Sequence, residues 1–173
     1  MLKAPVKWPG PVADLVAAAA EGSSLTAIRA ALSAIRALPP AQQGQPFRLG
    51  ICRTFTIEPQ LDALALGLAM LPCHPEIVVG DLENIEQLLL DVKSPMLQAS
   101  PDALLVLWRL EELHPRLVFE YNGMSAEERE QAATAVINRI ADLCAEYENI
   151  SAAPLFLSTL PEQLTFGKAA SDV

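Results

Sequence analysis

Glycine is scarce, with 8 residues in 173, and none follows the first apolar run as a phosphate cradle requires. No Gly-x-Gly-x-x-Gly turn, Walker A loop or Gly-x-Ser-x-Gly elbow occurs, so dinucleotide and P-loop chemistry is excluded. An Asp-x-Asp strand end is also missing, which leaves phosphoryl transfer through an aspartate without its nucleophile and metal-holding neighbour. Asp81-Leu82-Glu83 lies where a helix begins and reads as a cap.

Cysteine and histidine are equally sparse. Cys52, Cys73 and Cys144 are scattered, without the paired spacing of a zinc site or the density of a disulfide scaffold, and read as buried reduced thiols. His74 and His114 each precede a proline, in what reads as a loop, with no nucleophile beside them. Basic residues are few: 12 Lys and Arg against 21 Asp and Glu give a net charge of -9. That field repels phosphate backbones and excludes nucleic acid as a partner. The longest apolar stretch, Ala103 to Trp108, falls far short of the ~20 residues that span a bilayer. With no basic segment leading into an apolar one at the start, a soluble cytoplasmic protein is expected and no membrane partner.

What is present is 51% hydrophobic residues, enough for a real core in one globular unit. Pro11, Val12, Leu15, Val16 and Ala19 predict a first amphipathic helix, and Leu25, Ile28, Leu32 and Ile35 a second, ended by Pro39-Pro40. Residues 1–46 thus read as a helical segment and linker. From Phe47 the pattern alternates. Apolar runs over 47–52, 76–80, 103–108 and 154–158 predict strands, the third central in the sheet. Between them, stripes at Leu61, Leu64, Ala65 and Leu68, then at Leu82, Ile85, Leu88 and Leu89, predict helices, the second capped by Asp81. Lys93-Ser94-Pro95 reads as a polar loop. Ser125 and Glu128 form a capping box for a long helix through Tyr147. Strands alternating with helices give an α/β, doubly wound, mostly parallel sheet over 47–173 with helices on both faces. No further helix or strand is expected from Thr165 to Val173, so the unit reads as truncated at its C-terminus.

Ligands in such sheets collect at the carboxyl ends of the strands. The first such end is Arg53-Thr54-Phe55-Thr56, where Arg53, Thr54 and Thr56 suit an anionic or acyl group; alternatively Thr56 caps the helix and Thr54 bonds local backbone. Arg109, after the third strand, either reaches the same crevice or pairs with a neighbouring glutamate. Glu120-Tyr121-Asn122-Gly123 reads as a turn.

The segments "RTFTIEP", "VVGD" and "LLLDVKSPMLQASPDALLVLWRLEEL" together resemble the N-terminal domain of FkbH-like proteins, subfamily IIIC of the haloacid dehalogenase (HAD) superfamily. The resemblance covers Phe47 to Pro161, and its most specific part runs from Asp91 to Leu113. It implies an SGNH-hydrolase-like, flavodoxin-like three-layer unit coupled to a HAD domain in the same parent chain. Such pairs move a glyceryl unit from a phosphorylated three-carbon precursor to an acyl carrier protein in polyketide-type biosynthesis, with Mg²⁺ only in the HAD part. This chain has no HAD aspartate motif, so that activity is not carried over to it, and no metal or other cofactor is expected in it. The SGNH catalytic set is not carried over either: Arg53-Thr54-Phe55 stands in place of Gly-Asp-Ser, and Arg109-Leu110 in place of the asparagine. An accessory, recognition role is expected. The alternatives are a hydrolase using Thr54 or Thr56, and a plain interaction module. A carrier protein, being acidic, would dock only through a local basic spot such as Arg53, Arg109 or Arg116.

Overall fold

A computed structural model describes residues 8–158 except 23, 72 and 83. The strands are β1 (Gln45–Arg53), β2 (Cys73–Val79), β3 (Ala103–Leu107) and β4 (Leu155–Leu157). All pair in parallel, in the order β2-β1-β3-β4. The helices are α1 (Gly10–Gly22), α2 (Leu25–Arg36), α3 (Glu58–Ala69), α4 (Ile85–Leu90), α5 (Pro95–Gln98), α6 (Leu110–Leu113), α7 (Pro115–Phe119) and α8 (Ala126–Glu148). This is the three-layer α/β arrangement that the strand and helix alternation demands. The expected lack of structure over Thr165–Val173 lies outside the described residues.

Residue alternation along the strands divides the core between the two faces. Cys52, Leu104 and Val106 pack with Trp108, Leu113, Val136, Leu143 and Tyr147 on the α8 face. Leu49 and Ile51 pack with Ile57 and the α3 residues Leu61, Leu64 and Leu68 on the other. A third cluster joins α1 and α2 to α3 through Val16, Leu32, Ile35 and Leu66, so the N-terminal helices extend the layer that α3 begins. Gly50 is required by packing: a Cβ there would collide with the side chains of Leu104 and Met96. On the α8 face the strand therefore admits α5 only because it carries no side chain at that point.

Several local expectations are corrected. β2 starts at Cys73, so His74 lies in a strand and not in a loop; an edge strand tolerates the missing N–H of Pro75. Asp81 is not a cap: Asn84 caps α4, with φ 40° and its side chain accepting from the Gln87 amide at 3.2 Å. Asparagine tolerates the left-handed region that closes this loop, which leaves Leu82 outside the helix and 48% exposed. Lys93-Ser94-Pro95 is more than a loop, because buried Ser94 accepts from the Leu97 amide and starts α5. The Ser125–Glu128 capping box is present in full.

Candidate functional site at the carboxyl edge of the sheet

Three strand ends meet at this edge. The ladders continue past the strands, with the Thr54 amide donating to the Leu107 carbonyl at 3.1 Å and the Gly80 amide to that of Ile51 at 2.8 Å. The loops carrying Arg53, Gly80 and Arg109 are thereby fixed relative to one another.

Arg53 is 7% exposed, unusual for a residue of its charge. Its guanidinium grips Glu58 with both arms, at 2.7 and 2.8 Å. Its Nε donates to the Gly80 carbonyl and Nη1 to that of Phe55, at 3.3 and 3.4 Å. Such a fork matches a carboxylate and two carbonyls at once. Glu58 also accepts from the Ile57 amide at 3.0 Å, covering the first turn of α3. The Arg53 hydrogen bond is the main cause that holds the Glu58 carboxyl below its ordinary range, helped by the backbone amides.

Thr56 does not cap α3. The cap position is Ile57, with no side-chain bond, and Thr56 is exposed beside it. Glu58 does the work expected of Thr56, since its longer side chain folds back to the free amide. Thr54 bonds backbone, but not locally: its hydroxyl accepts from the Arg109 amide at 3.2 Å, across 55 residues. Among the described residues no histidine or carboxylate accepts a hydrogen bond from that hydroxyl.

Thr54 and Arg109 are therefore brought together through the Arg109 backbone. The Arg109 guanidinium turns to Glu111 and Glu112, at 3.3 and 3.4 Å, and stays partly exposed. Arg53 and Arg109 engage separate carboxylates. Arg116 is tied to Glu120 at 2.8 Å and Glu128 at 3.4 Å.

Two groups at this edge escaped the sequence reading. One is Glu58, which shows only as an acid in the first turn of a helix. The other is Arg139, whose guanidinium lies 5.6 Å from the centre of the Trp108 ring while bonding Glu86 at 2.7 Å. It seals the core next to Arg109, and no local pattern announces a contact between residues so far apart.

Burial pushes the Cys52 thiol up to about 12, so it stays protonated and is no nucleophile. Among the described residues no three His, Cys, Asp or Glu side chains gather as a metal site. Among them also, no helix is long and apolar enough to cross a membrane.

No family model and no curated protein matches the chain. Among solved structures it is similar to the N-terminal part of the protein BF1531 from Bacteroides fragilis, which contains a phosphatase domain and is complexed with Mg. The TM-score is 0.57 at 13% identity, over 82% of this chain and 36% of that one. The chain thus spans about a third of that neighbour's length, and what the two share is the fold.

Proposed function

We propose that this chain supplies the α/β unit, over 47–173, of an FkbH-like biosynthetic protein, and that it recognises substrate without catalysing. Its partner is a HAD-type domain of the same parent protein, which provides the Mg²⁺-dependent handling of a phosphorylated three-carbon unit. The unit itself meets the acyl carrier protein at the carboxyl edge of the sheet. The fold shared with the N-terminal part of a phosphatase-domain protein supports the pairing.

The observation that carries the reading is the occupation of the edge. Thr54 serves as an acceptor for the Arg109 amide, and Arg53 is closed in its bond with Glu58. A threonine nucleophile needs a base to take its proton, and none among the described residues is in place. Arg109 keeps an exposed guanidinium with long ion pairs, the loosest of the three candidate cations. It is the group best placed to exchange a glutamate for an anionic partner, with Thr54 holding its backbone; we add exposed Thr56, on the loop that Thr54 begins, as a second polar contact.

The test is hydrolysis. The full chain, given an aryl phosphate with Mg²⁺ or a short acyl ester, is expected to show no turnover above buffer. Ester turnover that disappears in Thr54→Ala or Thr56→Ala, with folding unchanged, would overturn the reading in favour of a threonine hydrolase.

A further inference from the structure

At the edge of the sheet opposite to the strand ends described above, β3 and β4 begin beside an open groove of about 560 Å³. Three loops wall it: that from α4 to α5 through Val92, that from α5 to β3 through Ser100, Pro101 and Asp102, and that from α8 to β4 over 150–154. Leu97, Pro101, Ile150 and Pro154 give it an apolar wall, and its volume is that of a small-molecule site.

Its electrostatics have one sign. Asp102 is the charged residue among the described lining. One of its carboxylate oxygens accepts from the Arg48 amide at 2.7 Å, and its own amide donates to the Arg48 carbonyl at 2.8 Å. The Arg48 guanidinium goes elsewhere, to Glu76 and the Ala99 carbonyl. Arg48 therefore positions Asp102 through the backbone without neutralising it, and among the described residues no ion pair engages its carboxylate. Ile150 and Ser151, just past the end of the 23-residue α8, also line the groove. No basic residue stands in the last turn of α8, so the negative end of its dipole is unopposed there. Two hydroxyls complete the set. Ser100 has φ 50°, at a helix end where glycine is the usual residue, yet places a side chain at the groove. Ser151 accepts from the Ala153 amide at 3.2 Å, and among the described residues neither hydroxyl donates a hydrogen bond.

We propose that this groove binds a small aliphatic amine in its ammonium form. An uncompensated carboxylate and the negative end of a long helix both favour a cation. An ammonium brings three donors, and Asp102 with the two serine oxygens offers acceptors for them. The apolar wall takes the alkyl chain, which a hydrated metal ion lacks.

Titration of the isotope-labelled full chain with n-pentylammonium chloride at constant ionic strength, followed by NMR, tests this. Saturable shifts centred on the amides of Ser100, Asp102, Ser151 and Ala152 are expected, with a Kd of about 1 mM. 1-Pentanol, the same alkyl chain without the charge, is expected to bind at least about tenfold more weakly. Asp102→Asn keeps an acceptor for the Arg48 amide and removes the charge, so it weakens ammonium binding about five- to tenfold and leaves pentanol unchanged. Ala152→Trp, at an exposed position of the lining, fills the groove with the charge in place and abolishes binding of both, which keeps the proposal testable if Asp102→Asn unfolds. The proposal is overturned if no saturable shift occurs, or if shifts spread over the acidic surface without saturating. Equal affinity for ammonium and alcohol overturns it too, as does ammonium binding that survives either variant unchanged.

Discussion

Arg53 and Arg109 hold equivalent places, each at the carboxyl end of an inner strand just before a helix, yet their surroundings are opposite. Arg53 is 7% exposed and gripped on three sides, whereas the Arg109 side chain is 44% exposed. The cause lies in the helices that follow. α3 is 12 residues long and anchored by Leu61, Leu64 and Leu68, so it presents Glu58 at a fixed point. α6 has four residues, and its Glu111 and Glu112 sit on a single turn, 3.3 and 3.4 Å from the Arg109 guanidinium. A cation at a strand end becomes a clamp when a long helix aims a carboxylate at it, and stays available when only a turn follows.

The largest effect expected from breaking this contrast is that of Arg53→Ala. It strips Glu58, Phe55 and Gly80 of their donor and opens the loop over 54–57, at a cost of about 2–3 kcal/mol in urea unfolding. Arg53→Lys recovers part of that, since an ammonium keeps the charge without the fork. Thr54→Val keeps the shape but removes the acceptor for the Arg109 amide, and about 1 kcal/mol of stability with it. Arg109→Ala is expected to change the unfolding free energy by no more than about 0.5 kcal/mol, because exposed pairs at such distances contribute little.

Acid sharpens the same contrast. The Glu58 carboxyl titrates lower in the folded chain than its ordinary value of 4.5, mainly through the Arg53 bond. Its stabilisation is therefore complete above that value and is lost as the pH falls below it. Urea midpoints measured from about pH 6 to about pH 3 are expected to fall less steeply for Glu58→Gln than for the parent chain.

Which of these features the sequence makes legible follows from the range of the forces behind them. The strand and helix alternation rests on residues two to four apart, so β1, β3, α2, α3 and α8 are readable from periodicity. α5, α6 and α7 span barely a turn each and leave no period to read. Asn84 rather than Asp81 caps α4 because the exit loop from β2 is longer than the nearest polar residue suggests. At the edge, Arg53, Thr54, Thr56 and Arg109 are all placed at strand ends by the fold. The Thr54 to Arg109 bond and the Arg53 to Glu58 clamp depend on how the strands and α3 come together, which no spacing within one segment records.

The most direct measurement is the binding of a glyceryl-loaded acyl carrier protein to the full chain, followed by calorimetry for the parent, Arg109→Ala and Arg116→Ala. Arg109→Ala is expected to weaken binding by about 5–10-fold, close to 1 kcal/mol, with unfolding unchanged and Arg116→Ala near the parent. Equal affinity for the parent and Arg109→Ala, or no binding by the parent at all, would contradict a recognition role for the carboxyl edge.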